Sequence, residues 1–241
     1  MKKILLILIT SLILPLNTVF AFYDDVNEDH PYYNAIKTLY ESGKLPEETN
    51  NIFQPDKPLT KAFLYKLILS YAQAPLAQEI QLPFPDTSND SDYAPYLQSA
   101  LDYRLIQSPS TSNPNFEPEK VLTKFNSLQT IFSSLGIGVN PFIKEEEFKF
   151  TDLSAKSYIA PVAQKAYELS IFEPDNSEKF KMAKRITRGQ AADFLYQISQ
   201  NPENQASTIN ITLVPNNDNL TDAETEILDS EKFAVLADIW S

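Results

Sequence analysis

The chain has no cysteine, one histidine and four glycines among its 241 residues. Without cysteine it forms no disulfide, binds no metal through thiolates and has no cysteine nucleophile. The single histidine, His30, excludes metal clusters and catalytic triads built on several imidazoles. Four glycines supply no glycine-rich loop for a phosphate. We therefore expect no catalytic residue, no metal site and no cofactor.

Basic residues are also scarce, because 20 Lys and Arg stand against 32 Asp and Glu and give a formal net charge of −12. This balance argues against a nucleic-acid partner, since phosphate contacts need a basic face. It also counts against any other anionic ligand, unless the basic residues cluster locally.

The N-terminus has the pattern of a secretory signal peptide. Lys2 and Lys3 precede an apolar run that Pro15 interrupts, and small residues lead to Ala21. We predict a signal peptide over residues 1–21, cleavage after Ala21 and no membrane span in the exported chain. A membrane-spanning helix is the alternative, but such a helix needs about 20 apolar residues and this run is shorter.

A motif recurs three times along the rest of the chain. Asp25, Asp86 and Asp152 each follow an aromatic residue by two positions. Apolar residues stand 11 and 14 positions after each aspartate: Ile36 and Leu39, Leu97 and Ala100, Ala163 and Ala166. This spacing predicts the buried face of a first helix of about three turns, which begins near Tyr33, Ala94 and Ala160.

A second element of the motif follows at a fixed spacing. Seven residues after Phe53, Phe116 and Phe180 stand Thr60, Thr123 and Thr187, and each threonine precedes a basic residue: Lys61, Lys124 and Arg188. A threonine in this position, followed by apolar residues three and four apart, predicts the N-cap of a second helix.

These units predict an all-α chain of three helix–loop–helix repeats, because a lone helix pair cannot bury its apolar face. The repeats span residues 22–76, 82–138 and 148–200. A polar linker is expected over 201–220 and a helix over 221–241. The apolar stripe of that helix continues to Trp240, which favours the start of a further domain beyond Ser241.

Together the motifs resemble the S-layer homology family: an F-x-D-V opening, a first helix, an F-x-P loop and a T-R-A-E-like start to the second helix. The resemblance covers about residues 22–200. It implies a pseudo-threefold helical bundle whose inter-repeat grooves bind secondary cell-wall polysaccharide, often pyruvylated. It also implies non-covalent anchoring of an exported protein at a bacterial cell surface or cell wall.

The resemblance also implies site residues. The family's ligand-binding basic residue corresponds to Lys61, Lys124 and Arg188, and an arginine can bind a carboxylate with two parallel hydrogen bonds, which favours the Arg188 groove for an acidic ligand. The alternative is that these side chains are merely exposed beside a cap. Two roles stay open for Asp25, Asp86 and Asp152: orienting a sugar hydroxyl, or tying the opening loop to a helix start or a basic residue.

Two departures from the family pattern bear on the helix ends. The glutamate of the capping box is replaced by Phe63, Asn126 and Gln190, of which only Gln190 can reach back to its cap amide. The glycine that ends the first helix is present in the first repeat as Gly43 and is replaced in the other repeats by Arg104 and Ser170.

A second function from another class stays open. Residues 232–240 are similar to a short helix that precedes the catalytic domain of secreted carboxyl-terminal processing peptidases. On this reading the repeats would anchor an enzyme whose catalytic domain lies beyond residue 241. The identity of the glycan, the number of working grooves and any self-association are left open by the sequence.

Overall fold

The computed structural model describes residues 22–171 and 178–201. The predicted signal peptide, nearly all of the predicted linker and the predicted C-terminal helix lie outside these residues. In the described part the elements are α1 (Tyr33–Glu41), a 3-10 turn (Thr49–Asn51), α2 (Lys61–Tyr71), α3 (Ala94–Asp102), α4 (Lys124–Ser134), α5 (Ala160–Glu168) and α6 (Arg188–Gln200). The predicted all-α class is confirmed for this part, where none of the helices is long and apolar enough to span a bilayer.

The helices follow one another as three pairs: pair 1 is α1 and α2, pair 2 is α3 and α4, and pair 3 is α5 and α6. The first helix of each pair has nine residues, which is shorter than the predicted three turns. Each ends at a left-handed residue, with φ of 66° at Gly43, 57° at Arg104 and 57° at Ser170. The next amide then bonds back into the helix, as Ile171 N–H does to Ala166 C=O at 2.9 Å.

The second helix of each pair begins with the predicted threonine cap. The hydroxyls of Thr60, Thr123 and Thr187 accept from the amide three residues on, at 3.4, 3.3 and 3.3 Å. In α6 the Gln190 side chain also accepts from the Thr187 amide at 3.0 Å, which completes the capping box. The prediction that only this pair closes the box is confirmed.

A closed ring of three backbone hydrogen bonds joins the loops that precede the second helices. Leu59 N–H donates to Ile186 C=O (2.9 Å), Ile186 N–H to Leu122 C=O (3.4 Å), and Leu122 N–H to Leu59 C=O (3.0 Å). All three side chains are buried. We refer to these contacts as the central ring, and they bring the three loops to one point in the structure.

The apolar core surrounds α2, which contacts α3, α4 and α6. Because three helices cover it, nearly every residue from Ala62 to Tyr71 is buried, including Lys66. The apolar residues that the spacing predicts on the buried face of the first helices are all buried: Ile36, Leu39, Leu97, Ala100, Ala163 and Ala166. The motif phenylalanines are buried as well, with Phe53 and Phe180 in the larger apolar cluster and Phe116 in a smaller one beside Leu97 and Ala100.

Candidate ligand-binding junctions

Three junctions form where the start of a second helix meets the F-x-P loop of another pair. We keep this name for the loop of pair 3, although Met182 replaces the proline there. At the first junction, Lys61 N–H of α2 donates to Lys120 C=O at 2.9 Å. At the second, Lys124 N–H of α4 donates to Lys184 C=O at 2.7 Å, and at the third, Arg188 N–H of α6 donates to Lys57 C=O at 3.0 Å. The first amides of a helix have no partner within it, so here the neighbouring pair supplies one.

The order of contacts is cyclic. The loop in the first junction (residues 116–122) belongs to pair 2, the loop in the second (180–186) to pair 3, and the loop in the third (53–59) to pair 1. The second amide of each helix repeats the contact: Ala62 to Pro118 (3.0 Å), Phe125 to Met182 (3.2 Å) and Gly189 to Pro55 (2.8 Å). Each second helix is thus held at its start by the loop of the next pair.

The motif aspartates hold these loops in shape. The carboxylate of Asp25 accepts from Phe53 N–H at 2.8 Å and from Gln54 N–H at 2.6 Å. Asp86 accepts in the same way from Phe116 and Glu117, and Asp152 from Phe180 and Lys181. The second residue of each amide pair has a positive φ, 57°, 62° and 55° at Gln54, Glu117 and Lys181, a conformation that costs energy for a residue other than glycine.

These partners differ from the predicted ones. Their hydrogen bonds tie the opening loop to the phenylalanine loop of their own pair and not to a helix start. Asp86 and Asp25 also act electrostatically on Lys61 and Arg188, where each opposes the lowering of the pKa by burial. The reason is tertiary, since the bonded amides lie 28 residues or more along the chain. The contact of Asp25, Asp86 and Asp152 with a sugar hydroxyl stays a prediction.

The three basic residues lie over phenylalanine rings at the junctions. Lys61 Nζ donates to Phe116 C=O at 2.8 Å and lies 4.3 Å from the centroid of that ring. Lys124 Nζ lies 5.7 Å from the Phe180 centroid. Such contacts stabilise a cation by about 0.5 to 2 kcal/mol, depending on exposure. Because Lys124 is only 4% exposed, it is not merely a side chain in solvent beside a cap.

Arg188 contacts an aromatic ring, a backbone carbonyl and a carboxylate of pair 1. Its guanidinium carbon lies 3.6 Å from the Phe63 ring centroid, Nη1 donates to Phe53 C=O at 3.1 Å, and Nη1 lies 4.0 Å from a Glu48 carboxylate oxygen. Burial lowers the pKa of Arg188, and Glu48 opposes this effect. Arg188 therefore ties pair 3 to pair 1, and part of its charge is balanced within the protein.

Glu48 continues this charged network toward pair 2. Its Oε1 lies 2.7 Å from Lys66 Nζ, which lies 2.8 Å from Asp92 Oδ2 in the loop before α3. Burial lowers the pKa of Lys66, but hydrogen bonds to Asp92 and Glu48 outweigh burial, so the pKa is raised. The buried lysine therefore stays charged and joins pair 1 to pair 2.

The first junction contains a cleft of about 200 Å³. Its polar lining consists of Lys61, Lys120, Asn126, Gln129 and Thr130. Burial lowers the pKa of Lys61, and Glu117 opposes this effect. Lys120 Nζ lies 2.5 Å from Glu117 Oε2, so cation and carboxylate balance one another in this cleft.

Further junction residues were not predicted from the sequence. Lys57, Lys120 and Lys184 stand four residues after the motif phenylalanines, and their carbonyls receive the helix amides. This constant spacing is the sequence feature from which the three lysines could have been predicted as junction residues. Tyr158, which is 69% exposed, packs edge-on against Phe125 with 5.8 Å between ring centroids. Among the described residues, no group of three or more His, Asp or Glu side chains is arranged to hold a metal ion.

Comparison with known proteins gives two kinds of match. The S-layer homology domain model matches residues 22–62 and 149–192, within pairs 1 and 3. An S-layer protein of Bacillus thuringiensis subsp. finitimus and the S-layer protein sap of Bacillus anthracis are each 23% identical over 190 residues. The alignments cover 78% of this chain but only 22% of each relative.

These matches identify S-layer homology sequence in two stretches of the chain. They indicate association with the cell surface or cell wall. The middle stretch, residues 63–148, lies outside both matched segments of the domain model.

Proposed function

We propose that the chain anchors an exported protein non-covalently to the bacterial cell envelope by binding wall polysaccharide at the junctions between three tandem repeats. The repeats are residues 22–76, 82–138 and 148–200. The observation that carries the proposal is the recurrence of one junction geometry, in which a cation at the start of a helix meets the F-x-P loop of the next pair. Linked sites of this kind gain affinity from a polymer that spans them.

The proposed arrangement of the repeats is pseudo-threefold. It is supported by the central ring, to which each pair contributes one donor and one acceptor from the residue before its cap threonine. Pair 2 is included because Asp86, Phe116 and Thr123 make the same hydrogen bonds as their counterparts in the two matched stretches.

The proposed ligand is an acidic wall polysaccharide, such as a pyruvylated one. Lys61, Lys124 and Arg188 supply the positive charge, and Asp25, Asp86 and Asp152 hold the loops that complete each junction. The alternative, an anchor for a peptidase, depends on residues 232–240, which lie outside the described residues, and no observation in the described part favours it.

The test is co-sedimentation of residues 22–241 with purified bacterial sacculi. One sample keeps its secondary polysaccharide, and the other is extracted with hydrofluoric acid, which removes phosphodiester-linked polymer. We expect sedimentation with the intact sacculi only, and none of an unrelated acidic protein with either sample. Equal sedimentation with both samples, or with neither, would contradict polysaccharide binding.

A further inference from the structure

We infer that a cleft at the end of α2 binds an aliphatic amine, with Glu47 as the group that pairs with the ammonium. This cleft lies outside the three junctions, which form at the starts of the second helices. The inference goes beyond the proposed function and does not rest on it. It depends on the shape of the cleft, on the residues that line it and on the charge of Glu47.

The cleft has a volume of about 280 Å³. Pair 1 supplies most of its walls, from the loop after α1, the end of α2 and the residues that follow it, and α3 supplies one side chain. The apolar part of the lining consists of Leu45, Pro46, Leu69, Ala74, Leu76 and the ring of Tyr96. Small-molecule sites are mostly apolar with a few polar groups, and this lining suits a short alkyl chain.

Hydrogen bonds hold the walls of the cleft in place. The Tyr23 hydroxyl donates to Pro46 C=O at 2.6 Å and fixes the loop after α1 to the opening loop. The Tyr103 hydroxyl donates to Pro75 C=O at 2.6 Å and fixes the segment after α2 to the end of α3. The cleft is therefore formed before a ligand arrives, and binding does not bear the cost of ordering a loop.

Glu47 gives the cleft its charge, because the residues that line it include this carboxylate and neither lysine nor arginine. Glu47 is exposed, and it makes no salt bridge among the described residues. Lys66 Nζ lies 5.7 Å from the Tyr96 ring centroid. That lysine is already paired with Glu48 at 2.7 Å and with Asp92 at 2.8 Å, so its charge is balanced away from Glu47.

The charge of Glu47 also acts on the aromatic wall of the cleft. Burial raises the pKa of Tyr96, a hydrogen bond with Ser70 and a nearby lysine oppose this rise, and nearby carboxylates, that of Glu47 among them, add to it. Lys44 precedes the cleft residues in the chain, but its Nζ lies 5.0 Å from the ring centroid of Tyr71, which does not line the cleft. An aromatic face beside an unpaired carboxylate attracts a cation.

The ligand class follows from these features. A primary ammonium pairs with Glu47 and lies near the Tyr96 ring, while its alkyl stem covers the apolar wall, much as a lysine stem covers apolar surface. An anion is repelled by the same carboxylate. The cleft at the first junction has the opposite character, since its polar lining includes Lys61 and Lys120. The net charge of −12 further favours cations near the protein.

The test is a titration of n-butylamine into the isotope-labelled chain of residues 22–241, followed by amide chemical shifts. At about pH 7 the amine is protonated, as a lysine side chain is. We expect saturable shifts in residues 43–47, 69–76 and 96, with a Kd on the order of 10 mM because the ligand has few atoms. Butan-1-ol, which has the same stem without the charge, should bind about three- to fivefold more weakly.

Variants of Glu47 separate its charge from the shape of the cleft. Glu47→Gln keeps the size of the side chain and should weaken butylamine binding by about three- to fivefold, and Glu47→Lys by about tenfold. Glu146→Gln is the matched control, since it removes an exposed carboxylate from the loop between pairs 2 and 3. It should change the Kd by less than about 1.5-fold. Circular dichroism checks that each variant is folded.

Equal weakening by Glu47→Gln and Glu146→Gln would mean that the amine follows net charge alone, and would overturn the assignment to Glu47. Equal binding of butylamine and butan-1-ol would overturn it as well, and so would an absence of saturable shifts at the named residues. These results leave the proposed function standing, because polysaccharide binding is tested separately with sacculi.

Discussion

At the scale of single residues, the motif aspartates do the same structural task three times. Each carboxylate accepts two adjacent loop amides, and the second of these belongs to a residue with positive φ. The carboxylate thereby compensates for a backbone conformation that is unfavourable for the glutamine, glutamate or lysine that adopts it.

Replacing Asp25 with asparagine should lower the free energy of unfolding by about 1 to 2 kcal/mol. The amide group keeps one acceptor but places an N–H group against the second loop amide. The measurement is urea denaturation followed by circular dichroism. Asp29→Asn, an exposed neighbour in the same loop, serves as the control and should change stability by less than about 0.5 kcal/mol. Equal effects of the two substitutions would contradict the structural role of Asp25.

The buried tyrosines predict the pH range in which the protein unfolds in alkali. Burial raises the pKa of Tyr65 and of Tyr71 from 10.0 to about 12, because the phenolate is disfavoured in the core. The folded state therefore binds these protons more tightly than the unfolded state does. Their contribution to stability is complete below about pH 10 and is lost as the pH rises through about 12.

An alkaline titration followed by phenolate absorbance and circular dichroism checks this prediction. The exposed tyrosines should ionise first, and the buried ones only together with unfolding. Ionisation of all 12 tyrosines in one step near pH 10, with the helical signal unchanged, would contradict it.

The residue roles that depend on local spacing were predictable, and those that depend on tertiary contacts were not. Thr60, Thr123 and Thr187 cap helices three residues ahead, so their role follows from neighbouring sequence. The partners of Asp25 are 28 and 29 residues away and become adjacent only when the loop folds back.

At the scale of the element, the first helices end alike despite different residues. Gly43, Arg104 and Ser170 all adopt a left-handed conformation, although only glycine does so without steric cost. The sequence predicted where the first helices end. Because pairs 2 and 3 lack the glycine, it did not predict that their helices would end in the same left-handed conformation. Each first helix packs on the second helix of another pair, with α1 on α6, α3 on α2 and α5 on α4.

Ser170→Gly should therefore raise the free energy of unfolding by about 0.5 to 1 kcal/mol, because relief of the left-handed strain exceeds the entropy gained by the unfolded chain. The reverse change, Gly43→Ser, should lower it by a similar amount, since φ is 66° and the nearest neighbour of an added Cβ, Gln73 Nε2, lies at an ordinary 3.5 Å. Thermal unfolding of both variants measures the difference. A destabilised Ser170→Gly would show that the serine side chain matters more than its backbone.

At the scale of the whole molecule, pair 3 returns to pair 1 and closes the cycle of junctions. Arg188 and Gly189 form this contact, since Gly189 N–H donates to Pro55 C=O at 2.8 Å and Arg188 to Lys57 C=O at 3.0 Å. An added Cβ at Gly189 would lie 2.8 Å from Tyr32 Cδ2 and 3.1 Å from the Pro55 carbonyl oxygen. The helix start is therefore held closer to its neighbour than alanine allows.

Gly189→Ala should destabilise the protein by about 1 to 2 kcal/mol, because the steric cost exceeds the gain in helix propensity. Gly138→Ala is the matched control, since nothing lies within 4 Å of its added Cβ, and it should be neutral or slightly stabilising. Chemical denaturation of both variants provides the comparison. A neutral Gly189→Ala would contradict the tight contact between pairs 1 and 3.

The sequence predicted three helix pairs but not how they meet. The repeated spacing marks each pair, whereas the contacts of Leu59, Leu122 and Ile186 in the central ring join residues more than 60 positions apart and leave no local pattern. For the same reason the sequence favoured Arg188 as the anion site from its side chain alone. Its enclosure by Phe63 and Glu48 became visible only in the folded chain.

The central claim is that wall polysaccharide binds at the junctions between the helix pairs. Its most direct test is chemical-shift mapping by nuclear magnetic resonance, in which oligosaccharides released from sacculi are titrated into the isotope-labelled chain of residues 22–241. We predict that the amide shifts concentrate at the three junctions, in residues 53–61, 116–124 and 180–188. Shifts confined to other surfaces, or no shifts at saturating oligosaccharide, would contradict the claim.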